Sequence, residues 1–586
     1  MRWGMTKEGN PLPVTDQEMA QGKASKPRWW LIVAGLAIVL AGAFLAQLVR
    51  TTDGTTVRDI RFAGTNGTVM SALLYVPKNA TPKTPAPGIL AVHGYINSRE
   101  TQDGFAIEFA RRGYVVLALD QTGHGYSGGA AFSNGFGGPD GLRYLRSLAM
   151  VDTAQIGLEG HSMGGWTVLA AAAAMPDAYS SMVLEGSSTG APYAQEGSPT
   201  WPRNLALVFS RYDEFSKLMW GVDHAADVAA SQKLQAVFGT NAPVAEKRLY
   251  GAIAEGTARK LYQPATTHPG DHLSTAAIGD AADWFGTTLK GGTPRSARDQ
   301  IWYWKEAGTG IGLVGFIMIM LGAFDALVRL PFFASVRGSA IPATEQRDRA
   351  WWRAFALNTG LPALLFFPTF IAAFILLPAS NWLPQAVTTQ ITLWALVGAG
   401  VSLLLGRFMK RPAGIHHSSW PKSILLAAAT VAAGYAALWL VDRLFHTDLR
   451  LWVIAVKLPS THQWGISTIY VVPLTLAFLV TTRSLASATV RSDSARRRTL
   501  AAILTLTTGF IVMLSVIYGV LFVTGSLITA FDPLSTVIAL QFVPVLAAVA
   551  IIATFTWQRT GSHRTGGVIA GIMVTLYVVA GTATQV

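Results

Sequence analysis

The chain has 586 residues, of which 51% are hydrophobic and only 13% charged, too few charges for an ordinary soluble protein. Its net charge of +13 raises nucleic acid as a partner, but Lys and Arg crowd into particular loops between apolar runs, a topological pattern that excludes that reading. With no cysteine, disulfides, thiolate catalysis and Cys-ligated zinc are excluded.

Residues 1–28 are polar and carry Arg2, Lys7, Lys23, Lys26 and Arg28. The apolar run 29–49 is long enough to span a hydrocarbon core at about 1.5 Å per residue. It exceeds a signal-peptide core, and Gln47-Leu48-Val49-Arg50 offers no small-residue cleavage site, so it reads as a retained anchor with a cytoplasmic N-terminus. Residues 51–300 have the charges and the Pro/Gly punctuation of a water-facing domain. Segments 57–62 and 69–76 around Asn66-Gly67 read as a hairpin. A Pro-rich loop, 77–87, leads to a buried strand, 88–92, which ends in His93-Gly94-Tyr95. A helix over 103–112 and a strand over 114–119 follow, then Asp120-Gln121-Thr122-Gly123-His124-Gly125-Tyr126-Ser127. The spacing next predicts a helix over 141–150, a strand into Glu159, a helix over 166–175, and strands at 181–184, 205–209 and 259–262. Strands alternating with helices predict a mostly parallel sheet covered on both faces, with ligands at the carboxyl ends of the strands.

Residues 308–586 hold eight further apolar runs, near 308–328, 354–377, 388–406, 423–441, 463–482, 499–523, 537–557 and 567–585. Loops 329–353, 407–422, 483–498 and 558–566 are rich in Lys and Arg, whereas 378–387 and 524–536 have none. By the positive-inside rule this predicts an all-α multi-pass bundle in the cell membrane, with residues 51–300 outside the cytoplasm. Only loop 442–462 departs from the rule, with Arg443, Arg450 and Lys457. Together with run 29–49 this makes nine spans, which would leave the C-terminus outside.

Between the predicted strand and helix lies Gly160-His161-Ser162-Met163-Gly164-Gly165. Strand, G-x-S-x-G, then helix is the context of a nucleophile elbow, in which small flanking residues let a tight turn present the serine hydroxyl. A serine hydroxyl is a weak nucleophile and needs a base within reach and an acid to orient that base. With His93-Gly94-Tyr95 and the Asp120–Ser127 stretch in the right order, residues 51–290 resemble an α/β-hydrolase, in the style of compact esterases and prolyl-oligopeptidase-like catalytic domains. The resemblance ends near residue 300 and does not extend to the bundle. It implies an α/β fold and a serine hydrolase with Ser162 as nucleophile and Asp213, after strand 205–209, as acid. Glu214 beside it reads as a solvated helix-start residue. His268 is the preferred base and His272 the alternative, since both follow the last strand within a plausible loop. The backbone N–H groups of Tyr95 and Met163 would form the oxyanion hole. His93, Asp120 and His124 read as structural, and His161 as a family residue whose side chain points away from Ser162.

Loop 187–204 is too short for the lid many relatives insert, so the site is expected to be open there, with Trp220, His224 and Phe238 as possible edges. No cofactor or metal site is expected: there is no Walker A lysine motif and no H-E-x-x-H, and His416-His417 reads as incidental. The expected partners are the bilayer and a small-molecule, lipid-linked or peptide acyl substrate. The function read from these features is hydrolysis of an ester, thioester or amide. Acyl transfer to an envelope lipid or sugar is one alternative, and a transporter or scaffold with a hydrolase-like sensor is another. The sequence does not specify an oligomeric state.

Overall fold

The structure, a computed structural model, describes residues 28–408 and 418–586, with backbone only at 406–408. Arg2, Lys7, Lys23, Lys26, Lys410, Arg411, His416, His417 and the side chain of Arg407 lie outside the described residues.

Helix α1 (Trp29–Arg50) leads into an eight-stranded sheet. Its strands are β1 (Thr56–Ala63), β2 (Val69–Val76), β3 (Ala86–Val92), β4 (Val115–Asp120), β5 (Val151–His161), β6 (Ser181–Glu185), β7 (Leu205–Val208) and β8 (Arg259–Tyr262). Their order is β1-β2-β4-β3-β5-β6-β7-β8. The β1–β2 and β2–β4 pairs are antiparallel and the other pairs parallel. The hairpin read at Asn66-Gly67 is present, with Ala63 opposite Val69.

Strand β3 reads as a continuous apolar run because both of its faces are covered. Leu90 and Val92 enter one core with Leu117, Leu158 and Trp166, while Ile89 and Ala91 enter the other with Val116, Phe105 and Trp284. Each large side chain so buried contributes about 1.5–3 kcal/mol. Edge strand β1 is blunted by Arg58 and Arg61 on its exposed positions. Helices α2 (Asp103–Arg111), α3 (Gly138–Ser147), α4 (Met163–Ala174) and α7 (Thr275–Thr288) cover the sheet, and the short α5 (Ser216–Trp220) and α6 (Gln232–Phe238) fill the β7–β8 connection.

The remaining helices are α8 (Trp302–Leu327), α9 (Arg349–Leu376), α10 (Ala386–Phe408), α11 (Trp420–Phe445), α12 (Thr461–Ser487), α13 (Ala495–Thr524), α14 (Pro533–Thr560) and α15 (Arg564–Ala580). Among the described residues eight helices, α1 and α8–α14, are long and apolar enough to cross a membrane. Helix α1 is more than a tether, because it lies against α8 through facing glycines. A Cβ on Gly42 would sit within 2.3 Å of the Gly308 carbonyl oxygen, so the two backbones touch.

Two sequence expectations change. The last apolar run is helical only to Ala580, shorter than the 567–585 expected, because it ends in the polar stretch Thr582-Ala583-Thr584-Gln585. Thr584 there exchanges backbone hydrogen bonds with the hydrolase-like domain, donating to Gly123 (2.8 Å) and accepting from Ala131 (2.7 Å). Loop 442–462 is not merely an exception to the charge rule. It forms a hairpin, β9 (Leu449–Leu451) and β10 (Ile454–Val456), where Arg450 and Lys457 are buried against the domain, whereas Arg443 at the end of α11 is exposed. Arg450 donates to Ser98 Oγ (3.1 Å), and Lys457 lies 3.7 Å from Glu100.

Candidate active site

Ser162 stands at the turn between β5 and α4 with φ 57° and ψ −122°. A non-glycine residue held there stores roughly 1–3 kcal/mol of strain, which persists only when its surroundings over-determine it. Here the Ser162 N–H donates to the Glu185 carbonyl (2.8 Å), and the Ser162 carbonyl accepts from Gly165 N–H (2.9 Å). Ser162 faces a cavity of about 580 Å³, which His268, Tyr95 and Met163 also line. Met163 begins α4, so its N–H has no acceptor within the helix.

Asp213 and His268 arrive from the loops after β7 and β8. His268 Nδ1–H donates to Asp213 Oδ2 at 2.8 Å, and Phe215 N–H donates to Asp213 Oδ1 at 2.7 Å. Burial and the nearby Asp271 push the Asp213 carboxyl up, and the hydrogen bond from Phe215 N–H works against that rise. Burial lowers His268 to about 4, which leaves its imidazole neutral and able to accept a proton at ordinary pH. Gly186 makes room for the pair. Its φ is +51°, and a Cβ there would lie 2.7 Å from His268 Nδ1 and 3.1 Å from Asp213 Oδ2.

His272 is not brought to Asp213. It is half-buried with both ring nitrogens enclosed and not hydrogen-bonded, and its ring lies 4.2 Å from that of His161. His161 sits between the two histidines, 4.6 Å from the His268 ring, and donates from Nε2 to the His268 carbonyl (3.0 Å). It supports the base loop from behind. His93 and Asp120 tie loops together: His93 Nε2 accepts from Gln121 N–H (3.2 Å), and Asp120 accepts from Ser71, Arg99 N–H and Tyr126 N–H. His124 likewise donates from Nδ1 to the Thr122 carbonyl (2.9 Å).

Three expectations are corrected. Glu214 is not solvated; it is 2% exposed. Its Oε2 accepts from His268 N–H and its Oε1 from Tyr518 Oη of α13, both at 2.8 Å. Burial and Asp213 raise it to about 8. The cavity is not open above the short loop, because the bundle covers it with Trp452, Phe531, Leu534, Val537 and Gln541. Trp220, His224 and Phe238 do not line it; Phe215, Leu218 and Met219 from the same connection do.

Sequence reasoning missed every bundle residue at the site. Trp452 donates to the Pro269 carbonyl (2.6 Å), one residue beyond His268, and Gln585 donates to Tyr95 Oη (3.1 Å). No local pattern marks such residues, since they act through a partner distant in sequence. Among the described residues no group of three or more His, Asp or Glu is placed to hold a metal ion.

An eight-stranded, mostly parallel sheet with a strained serine turn at the end of β5 defines an α/β-hydrolase domain. Comparison with known proteins agrees. The family described as alpha/beta hydrolase fold matches residues 87–218, and acetyl xylan esterase (AXE1) matches residues 32–138. A monoacylglycerol lipase of Mycolicibacterium smegmatis is 35% identical over 122 residues, 19% of this chain and 41% of that protein. The chain thus spans about two-fifths of that curated relative's length. Similar solved structures include a predicted CIB-like hydrolase from Thermoplasma acidophilum, 16% identical, covering 40% of this chain and 100% of that one at a TM-score of 0.28. A dienelactone hydrolase from Anabaena variabilis is 17% identical, covering 40% and 99% at a TM-score of 0.27.

Proposed function

We propose that the protein is a membrane-held serine hydrolase that cleaves a carboxylic ester through an acyl-Ser162 intermediate on the extracytoplasmic side. The observation that carries this reading is the Asp213–His268 hydrogen bond (2.8 Å) at the cavity which Ser162 faces. The esterase and lipase descriptions of the matching proteins support an ester over an amide. The crowding of Lys and Arg into alternate loops supports the placement of the domain.

In the first half-reaction Ser162 Oγ attacks the ester carbonyl carbon while His268 Nε2 takes the hydroxyl proton. The developing oxyanion is held by the backbone N–H groups of Tyr95 and Met163. Collapse breaks the bond to the alcohol, which leaves with the proton from His268. Water then attacks the acyl carbon and gives its proton to His268; release of the acid returns that proton to Ser162 Oγ. Asp213 keeps Nδ1 protonated throughout, so that Nε2 is the basic nitrogen.

A fluorophosphonate probe tests this directly. Wild type is expected to label on Ser162, and Ser162→Ala to lose both the label and ester turnover by a factor on the order of 10⁶. Folded wild-type protein that takes no label sinks the reading.

A further inference from the structure

The cavity is lined in part by residues on or next to membrane-length helices. Tyr518, which holds Glu214 and through it the His268 loop, lies six residues inside the outer end of α13, or about 9 Å along the helix. Gln541 on the cavity wall lies about 12 Å inside the start of α14. Phe531, on the cavity rim, packs on Phe367 (5.9 Å between centroids), which is about 14 Å inside the end of α9. Helix α13 at 30 residues is about 45 Å long, the full thickness of a bilayer with its headgroups. With α13 spanning the bilayer from surface to surface, these residues beside the cavity would lie where headgroups meet hydrocarbon, the level of the ester carbonyls of membrane lipids.

The rim carries exposed apolar side chains, beside Lys217 and Asp532. Phe531 is 66% exposed and Leu218 50%, and both line the cavity. Val523, near the end of α13, is 85% exposed close by in the chain. Large apolar side chains so exposed are stable against lipid and costly against water. Inside, Phe215, Met219, Leu534 and Val537 continue the apolar wall toward Ser162.

Resting on the hydrolase reading, we propose that the cavity takes its substrate sideways from the adjoining leaflet, between Leu218 and Phe531. The substrate is then a fatty-acyl ester of a bilayer-resident lipid. Its chain remains among apolar side chains while the carbonyl reaches Ser162. The bundle acts as the wall and doorway of the active site, the part that loop 187–204 is too short to supply.

The test uses the full-length chain in phosphatidylcholine vesicles. Turnover of monooleoylglycerol in the vesicle is compared with that of p-nitrophenyl acetate in the water. Phe531→Asp and Leu218→Asp, checked for folding by fluorophosphonate labelling, are expected to lower the ratio of the two rates tenfold or more. An unchanged ratio overturns the proposal, as does a wild type that cleaves the soluble ester and no vesicle-borne ester. A second measurement needs no activity. The chain has no cysteine, so Phe531→Cys takes a single nitroxide label. Collision with oxygen is expected to exceed collision with a water-soluble nickel chelate, and the reverse order overturns lateral access. If wild type neither labels with fluorophosphonate nor cleaves either ester, the hydrolase reading fails, and the nitroxide still decides access.

Discussion

The imidazole of His268 is buried at the cavity wall, and burial carries it down from 6.5 to about 4. A base works only when unprotonated, so the acid limb of kcat/KM for a soluble ester is expected near pH 4; a limb at 6.5 or above would contradict this. Stability shows the same shift with a definite sign. Between pH 4 and 6.5 the folded state binds fewer protons at His268 than the unfolded state, so stability falls as pH drops through that window. Glu214 works in the opposite sense. Raised from 4.5 to about 8, it is protonated in the folded state when the unfolded chain has lost the proton, so stability falls as pH rises through 4.5 to 8. Glu214→Gln keeps an acceptor for His268 N–H and a partner for Tyr518, and it is expected to flatten the alkaline fall in thermal midpoint. An alkaline limb that persists unchanged would assign the fall to another group. Position alone suggested a solvated Glu214, because what buries it is a helix some three hundred residues further on.

At the scale of elements, the active-site loops are fixed by contacts between segments. Gly186→Ala adds a Cβ 2.7 Å from His268 Nδ1 at a φ of +51°, so it is expected to displace the base from Asp213. The expected loss is about 10³–10⁴-fold in kcat, comparable to loss of the orienting acid, with the thermal midpoint read in parallel. A wild-type kcat would show that the loop gives way instead. The C-terminal segment holds the opposite side of the cavity through Thr584 on Gly123 and Ala131 and Gln585 on Tyr95. Deleting residues 582–586 is expected to lower kcat more than it raises KM, because Tyr95 is the proposed oxyanion donor; a pure KM effect argues against that role. Neither tie was legible beforehand. The last apolar run looked like one more span, and only its polar tail hints that it ends early.

Across the whole molecule, domain and bundle are joined by buried charge. Lys305 of α8 lies 2.9 Å from Asp103 of the domain and 2.8 Å from Glu306, and Arg50 at the end of α1 lies 3.9 Å from Asp103. Removing one partner of such a cluster leaves an uncompensated buried charge. Lys305→Met is therefore expected to destabilise by about 3–5 kcal/mol, read as a lowered thermal midpoint of the full chain. A midpoint within a degree or two of wild type would show that the domain is held by apolar contact alone. The strand–helix alternation, the serine turn, Asp213 and the short list of two histidines were readable from the sequence, because periodicity and turn chemistry act over a few residues. So were the apolar runs, whose length and composition are local properties. The hydrogen bond of His268, not His272, to Asp213, the burial of Glu214, the cover over the cavity and the use made of Arg450 and Lys457 were decided only by tertiary structure. Each depends on a partner brought from far along the chain, and Ser162 gains its surroundings only when the bundle closes over it.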